Sequence, residues 1–143
     1  MSYNKYGARK VQIGDKIFDS VHEGRRYQEL LLRQRAGEIQ SLETQVSFLL
    51  IPAQYETYER YSDKTGKKLK DGQRCLEQKV EYIADFVYQD MKTGEWVVED
   101  AKGCTTPEYV IKRKLMLAVH GIRVKEYREE KRSKGLNRKG GRG

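Results

Sequence analysis

The sequence predicts a three-layer α/β domain, a mixed β-sheet flanked by helices, and three observations predict it. Apolar residues recur at helical spacing in segments 21–36 and 107–119, they alternate at strand spacing over 39–51 and 80–102, and the elements run in the order helix, strand, hairpin, helix, strand. At 143 residues, 37% of them hydrophobic, the chain has the length of one domain with one core.

Residues 1–14 are polar and contain Lys5, Arg9 and Lys10, which reads as a loose leader into a short apolar-polar stretch over 13–18. Ser20-Val-His-Glu23 then matches a capping box, in which hydroxyl and carboxylate each satisfy a free N–H at a helix start. The helix is expected from Val21 to Ala36 and to stop at Gly37, with Tyr27, Leu30 and Leu31 on its apolar stripe and Glu23 one turn before them. Leu42, Val46, Phe48 and Leu50 share one face of a strand that ends at Pro52. Residues 53–79 are polar and turn-rich, with Tyr55, Tyr58 and Tyr61 among charges, and predict a protruding hairpin or mobile loop inserted in the domain.

From Val80 to Tyr88 both parities are apolar except at Asp85, the pattern of a strand covered on both faces. Asp90 to Gly94 makes a turn, and the strand returns over 95–102 with Trp96, Val98, Asp100 and Lys102 on one face and Glu99 on the other. Thr106-Pro107 starts a second helix, whose stripe is Val110, Ile111, Leu115, Ala118 and Val119 and which ends at Gly121. A last strand over 122–127 should run parallel to its neighbour, because a helix intervenes.

The net charge of +8 favours a polyanionic partner, nucleic acid being the usual one. Residues 128–143, however, hold seven Lys or Arg against Glu129 and Glu130, so most of the excess lies in a Gly-rich tail, either a solvated terminus or a phosphate-binding arm. No apolar run has the length of a membrane span, and the start lacks the apolar stretch of a signal peptide, so a cytoplasmic location is expected. Cys75, Cys104, His22 and His120 would all have to converge to make a structural zinc site.

The chemistry lies in the carboxylates. If Met91 to Gly94 stay outside the ladder, Asp90 faces Glu95 and Asp85 faces Asp100, and like charges directly opposite destabilise a sheet unless something positive lies between them. A hard divalent cation with oxygen ligands suits that place, Lys102 adds a second cation, and Glu23 closes the shell if its helix packs end-on over the sheet. The plainer readings are that Glu23 only caps its helix, that Asp100 and Lys102 form a surface ion pair, and that a turn one residue longer or shorter brings Glu99 opposite Asp85.

Glu23 in a first helix, Asp85 in Tyr82-Ile-Ala-Asp85, and Asp100-Ala-Lys102 at the end of the next strand resemble the PD-(D/E)xK nuclease superfamily. With Phe18-Asp-Ser-Val-His-Glu23, Gly37-Glu-Ile-Gln-Ser-Leu42-Glu-Thr-Gln45, Glu99-Asp-Ala-Lys-Gly103 and Lys112-Arg-Lys-Leu-Met116, residues 5–127 look like a family of small phage and prophage endonuclease-like proteins. Ala84 stands where the motif's name has Pro, and Asp100 where Glu is commoner. The resemblance implies a restriction-endonuclease-like core and Mg²⁺ or Mn²⁺ as cofactor. It gives Glu23, Asp85, Asp100 and Lys102 a role in hydrolysis, with the three carboxylates at the metal. It also points to Gln45, Lys112 and Lys114 as DNA contacts, although Gln45 shares a face with Glu43 and Ser47 and the lysines also read as a charged outer face. Within that superfamily the small members resemble Holliday-junction resolvases, which implies branched duplex DNA as partner and a homodimer, because two symmetric cuts need two sites.

Overall fold

The computed structural model describes residues 9–101 and 105–128; the first eight residues, residues 102–104 with Lys102 among them, and the tail from 129 lie outside the described residues. The chain opens with β1 (Val11–Ile13) and β2 (Lys16–Phe18), an antiparallel hairpin around Gly14-Asp15. Strand β1 thus lies within the stretch 1–14 that the sequence predicts as a loose leader. Gly14, at φ 62°, supplies the left-handed backbone that a two-residue hairpin turn needs.

Helix α1 (Val21–Arg35) starts as its sequence dictates, with Ser20 Oγ accepting from the Glu23 N–H at 3.2 Å. It ends in a paired C-cap: Gly37 N–H donates to Gln34 O and Glu38 N–H to Arg33 O, made possible by φ 77° at Gly37. Strand β3 (Ile39–Ile51) follows at once, then β4 (Gln54–Tyr61) and β5 (Lys68–Glu77), which pair only with each other as a two-stranded ribbon. β6 (Val80–Asp90), β7 (Trp96–Ala101), α2 (Pro107–Leu115) and β8 (Lys125–Tyr127) complete the order.

The central sheet is ordered β3-β6-β7-β8; the first two pairings are antiparallel and β7–β8 is parallel, so the fold is mixed α/β. Adjacent residues on a strand point to opposite faces, and this places the helices. Glu99 meets Arg26 of α1, whereas its neighbour Asp100 meets Tyr82, whose ring lies 6.4 Å from that of Tyr109 on α2. The two helices thus cover opposite faces. Phe18, Leu30, Ile39, Phe86, Tyr88 and Ala101 form the core beneath α1, and Leu50, Tyr82, Val98, Tyr109, Met116 and Val124 the core beneath α2.

Tyr82 and Ala84 belong to the second core and Phe86 and Tyr88 to the first, although all four share parity. The alternation is reset at Asp85. There the β3–β6 pairing passes from Thr44–Phe86 to Val46–Ala84, and Gln45, on the opposing strand, adopts φ 55°. A second left-handed residue, Ser41 at φ 57°, lies in the bulge between Gln40 and Glu43.

Three expectations are corrected. β6 is covered on both faces only in part: Phe86 and Tyr88 lie in one core and Val87 packs against the other, but Ile83 is 52% exposed and lines an open pocket. The second helix turns to π geometry over Met116–His120 before Gly121, and the wider turn rotates the residues beyond it. The buried positions are Tyr109 and Met116; of the expected stripe, Ile111, which precedes the π segment, and Val119, within it, are exposed. Finally, the last strand pairs only over Lys125–Tyr127, with Val124 already packed into the core before it.

Candidate functional site

The turn between β6 and β7 closes with Asp90 N–H donating to Glu95 O at 2.8 Å, and the paired positions run Gln89–Trp96, Tyr88–Val97, Val87–Val98 and Phe86–Glu99. One step further along this register, Asp85 comes across from Asp100. Ladder pairing stops there, and the Asp85 carboxylate replaces it: Oδ2 accepts from the Ala101 N–H at 2.9 Å. Asp100 is 2% exposed, and its Oδ2 accepts from the Tyr82 hydroxyl at 2.5 Å. Both carboxylates line one solvent-open pocket of about 300 Å³, with Tyr82, Tyr109 and Lys112 among its other walls.

Burial, and then the hydrogen bond to Asp100, push the Tyr82 hydroxyl well above the usual tyrosine range, so it stays a donor to that carboxylate. Tyr109 is raised as well, by burial first and by its hydrogen bond to Glu126 Oε1 at 3.0 Å. Glu126 sits on β8 in register with Asp100, and the Arg113 guanidinium at 2.7 Å holds its carboxyl below the ordinary range. Asp100 therefore lies on a strip of three acids, Asp85, Asp100 and Glu126, one from each neighbouring strand.

The opposite face of β7 carries a second network. Arg26 makes two 2.8 Å hydrogen bonds to Glu99, which is fully buried, and the Tyr88 hydroxyl donates to Glu99 Oε1 at 3.0 Å. Burial opposes the Arg26 charge, yet the hydrogen bonds and charge of Glu99 outweigh it and its pKa is raised. Tyr88 is pushed up to about 12 by burial and then by the Glu99 charge. The Arg26 guanidinium also lies 3.9 Å from the Tyr127 ring centre, tying α1 to β8.

Of the residues the sequence singled out, the structure brings Asp85 and Asp100 to one pocket and adds Lys112, whose Nζ is 2.9 Å from Glu108. Glu23 is not among the residues lining it: α1 covers the other face of the sheet, where Glu23 Oε2 is buried. Gln45 is exposed on β3 where the alternation breaks, and Lys114 is exposed on α2 outside the pocket. Lys102 lies outside the described residues. Among the described residues, no three His, Cys, Asp or Glu side chains converge as a ready-made metal cage. Two carboxylates on one open pocket nonetheless suit Mg²⁺, which keeps several waters and takes one or two protein carboxylates alongside substrate phosphate oxygens.

Sequence reasoning missed Tyr82, Arg26, Glu99 and Glu126. Tyr82 and Arg26 carried a readable signal. A tyrosine in an apolar strand is expected to bury its hydroxyl against a hydrogen-bond acceptor, and a guanidinium that is buried is expected to be paired, although the sequence names neither partner.

Among the described residues no helix is long and apolar enough to cross a membrane. Residues 3–135 match the family model described as "Protein of unknown function (DUF1064)". No curated protein and no solved structure matches the chain.

Proposed function

We propose that the chain, which belongs to the DUF1064 family of proteins of unknown function, is a metal-dependent DNA endonuclease. The observation that carries this reading is the placement of Asp85 and Asp100, from adjacent antiparallel strands, in one solvent-open pocket. A bound Mg²⁺ or Mn²⁺ would polarise a phosphoryl oxygen and make its own water a better nucleophile. The protein's part is to hold the oxygens: the Ala101 N–H orients Asp85 and the Tyr82 hydroxyl orients Asp100, so neither carboxylate has to be organised when substrate arrives. Lys102, the residue after Ala101 in the sequence, would supply the positive charge that balances the phosphate, and the acid set proposed here is Asp85 and Asp100, because Glu23 does not line the pocket. In its narrower form the proposal is a resolvase-like enzyme acting as a dimer on branched DNA in phage recombination or repair, after the resemblance of residues 5–127.

A second reading, a DNA-binding protein that retains the fold without turnover, is favoured by one observation, the lack of a three-ligand cage among the described residues. One experiment separates them. The protein is incubated with labelled four-way junction, linear duplex and single-stranded DNA, each with Mg²⁺, Mn²⁺ or EDTA, with Asp85→Ala and Asp100→Ala alongside. Metal-dependent cutting lost in both variants supports the endonuclease, and paired nicks confined to the junction support the narrower form. Binding without cutting on every substrate overturns the enzyme reading, and full activity in Asp100→Ala removes this pocket as its site.

A further inference from the structure

The β4–β5 ribbon is the largest feature that the pocket does not use. All of its residues from Gln54 to Glu77 are exposed except Ser62 and Gly72, which are intermediate. It is nonetheless built to be stiff. The Tyr58 ring lies against Gly72, where an added Cβ would fall 2.5 Å from the ring, and the Arg74 guanidinium stands 4.7 Å from the same ring and 3.3 Å from Glu56. The Tyr61 hydroxyl donates to Glu59 at 2.6 Å. The tip closes on itself through Gly66 N–H to Ser62 O and Ser62 N–H to Lys67 O.

Charge is segregated along the ribbon. The distal residues 60–70 carry Arg60, Lys64, Lys67, Lys68 and Lys70 against Asp63, whereas the root segments 54–59 and 71–77 carry Arg74 against Glu56, Glu59, Asp71 and Glu77. Among the described residues Lys64, Lys67 and Lys70 make no ion pair, and of the distal cations only Lys68 reaches a root acid, Glu59, at 3.6 Å. An arm acidic at its root and basic at its tip suits a polyanion met at the tip. Tyr58 and Tyr61 are engaged within the ribbon, which disfavours base stacking and favours phosphate contact.

We propose that the β4–β5 ribbon is a duplex-gripping arm whose distal lysines contact backbone phosphates beside the cut site, an inference that rests on DNA being the substrate of the pocket. The geometry suits it: a two-stranded ribbon fits the major groove of B-DNA, and eight residues of strand reach about 26 Å. The root joins the sheet at Ile51 and Val80, and β6 carries Asp85 only five residues beyond Val80.

The test compares Lys64→Gln/Lys67→Gln with a charge-matched control, Arg35→Gln/Lys92→Gln, at the other end of the β3–β6 pair. Binding to labelled duplex and to labelled single-stranded DNA is measured in EDTA across a salt series, and metal-dependent cutting is measured separately at saturating protein. The arm variant is expected to bind more weakly, its slope of log affinity on log salt shallower by about 0.9 per lysine removed. The control is expected to keep the wild-type slope, and any wild-type cutting is expected to persist in the arm variant. A slope in the arm variant equal to wild type or to the control overturns the arm but leaves the endonuclease reading standing. A loss confined to single-stranded DNA overturns the duplex assignment. A shallower slope together with no cutting by the wild type keeps the arm and removes the endonuclease.

Discussion

Asp85 has two duties, and substitutions separate them. Its Oδ2 accepts from the Ala101 N–H where ladder pairing has stopped, and its charge faces the pocket. Asp85→Asn keeps an acceptor and loses the charge, so it is expected to unfold in urea within about 1 kcal/mol of wild type while metal-dependent cutting is abolished. Asp85→Ala also strands the N–H and is expected to lose about 1–3 kcal/mol more. Equal activity in Asn and wild type would confine Asp85 to a structural role. At this scale the pocket was half legible. Asp85 and Asp100 followed from counting ladder positions across a turn of stated length. Tyr82 did not, because its alternation marks it only as core and nothing local says where its hydroxyl finds an acceptor. Glu23 shows the opposite limit: its cap is written in four consecutive residues, whereas the face of the sheet that α1 covers depends on Arg26 meeting Glu99, a contact 73 positions apart.

Among the elements, α1 and β7 are joined by the buried Arg26–Glu99 pair, which leaves either charge stranded if the other is removed. Arg26→Met alone is expected to destabilise the fold by roughly 3–5 kcal/mol in equilibrium denaturation, and Arg26→Met with Glu99→Met by much less. A double-variant loss equal to the sum of the losses in Arg26→Met and Glu99→Met, each measured alone, would show that the pair contributes no coupling. The elements themselves were the most readable layer. α1, β3 and the turn at Asp90–Gly94 carry their own start and stop signals, a cap, a paired Gly and a proline. The hairpin over 54–77 was likewise announced by its turn residues. The π turn at Met116–His120 was not legible, since a helix that gains a residue per turn leaves the apolar spacing looking ordinary until the packing shows which side is in.

For the molecule as a whole, two conditions test the fold. Tyr82, Tyr88 and Tyr109 are all raised by burial, so the unfolded chain releases protons near pH 10 while the native one still holds them. The stability they confer is complete below about pH 10 and falls as pH climbs towards the Tyr88 value of about 12. Melting followed by circular dichroism and tyrosinate absorbance should show ionisation of these rings coinciding with unfolding; ionisation well before it would contradict their burial. Because Ile51 and Val80 already face each other in the ladder, a two-residue turn is able to replace the ribbon between them. That shortened protein is expected to melt within roughly 4 °C of wild type, and a larger loss would show that the ribbon supports the body. The break in alternation at Gln45 and Asp85 has a consequence for assembly rather than for chemistry. In a uniform pair of long strands, a slip of one residue preserves every hydrogen bond and merely turns the side chains over. Here a slipped pairing would set the left-handed backbone of Gln45 against a regular position and turn Phe86 and Tyr88 out of their core. The irregularity is thus a registration notch: one alignment of β3 on β6 lets the notch close, and it sets the face to which Asp85 turns before β7 brings Asp100 across from it.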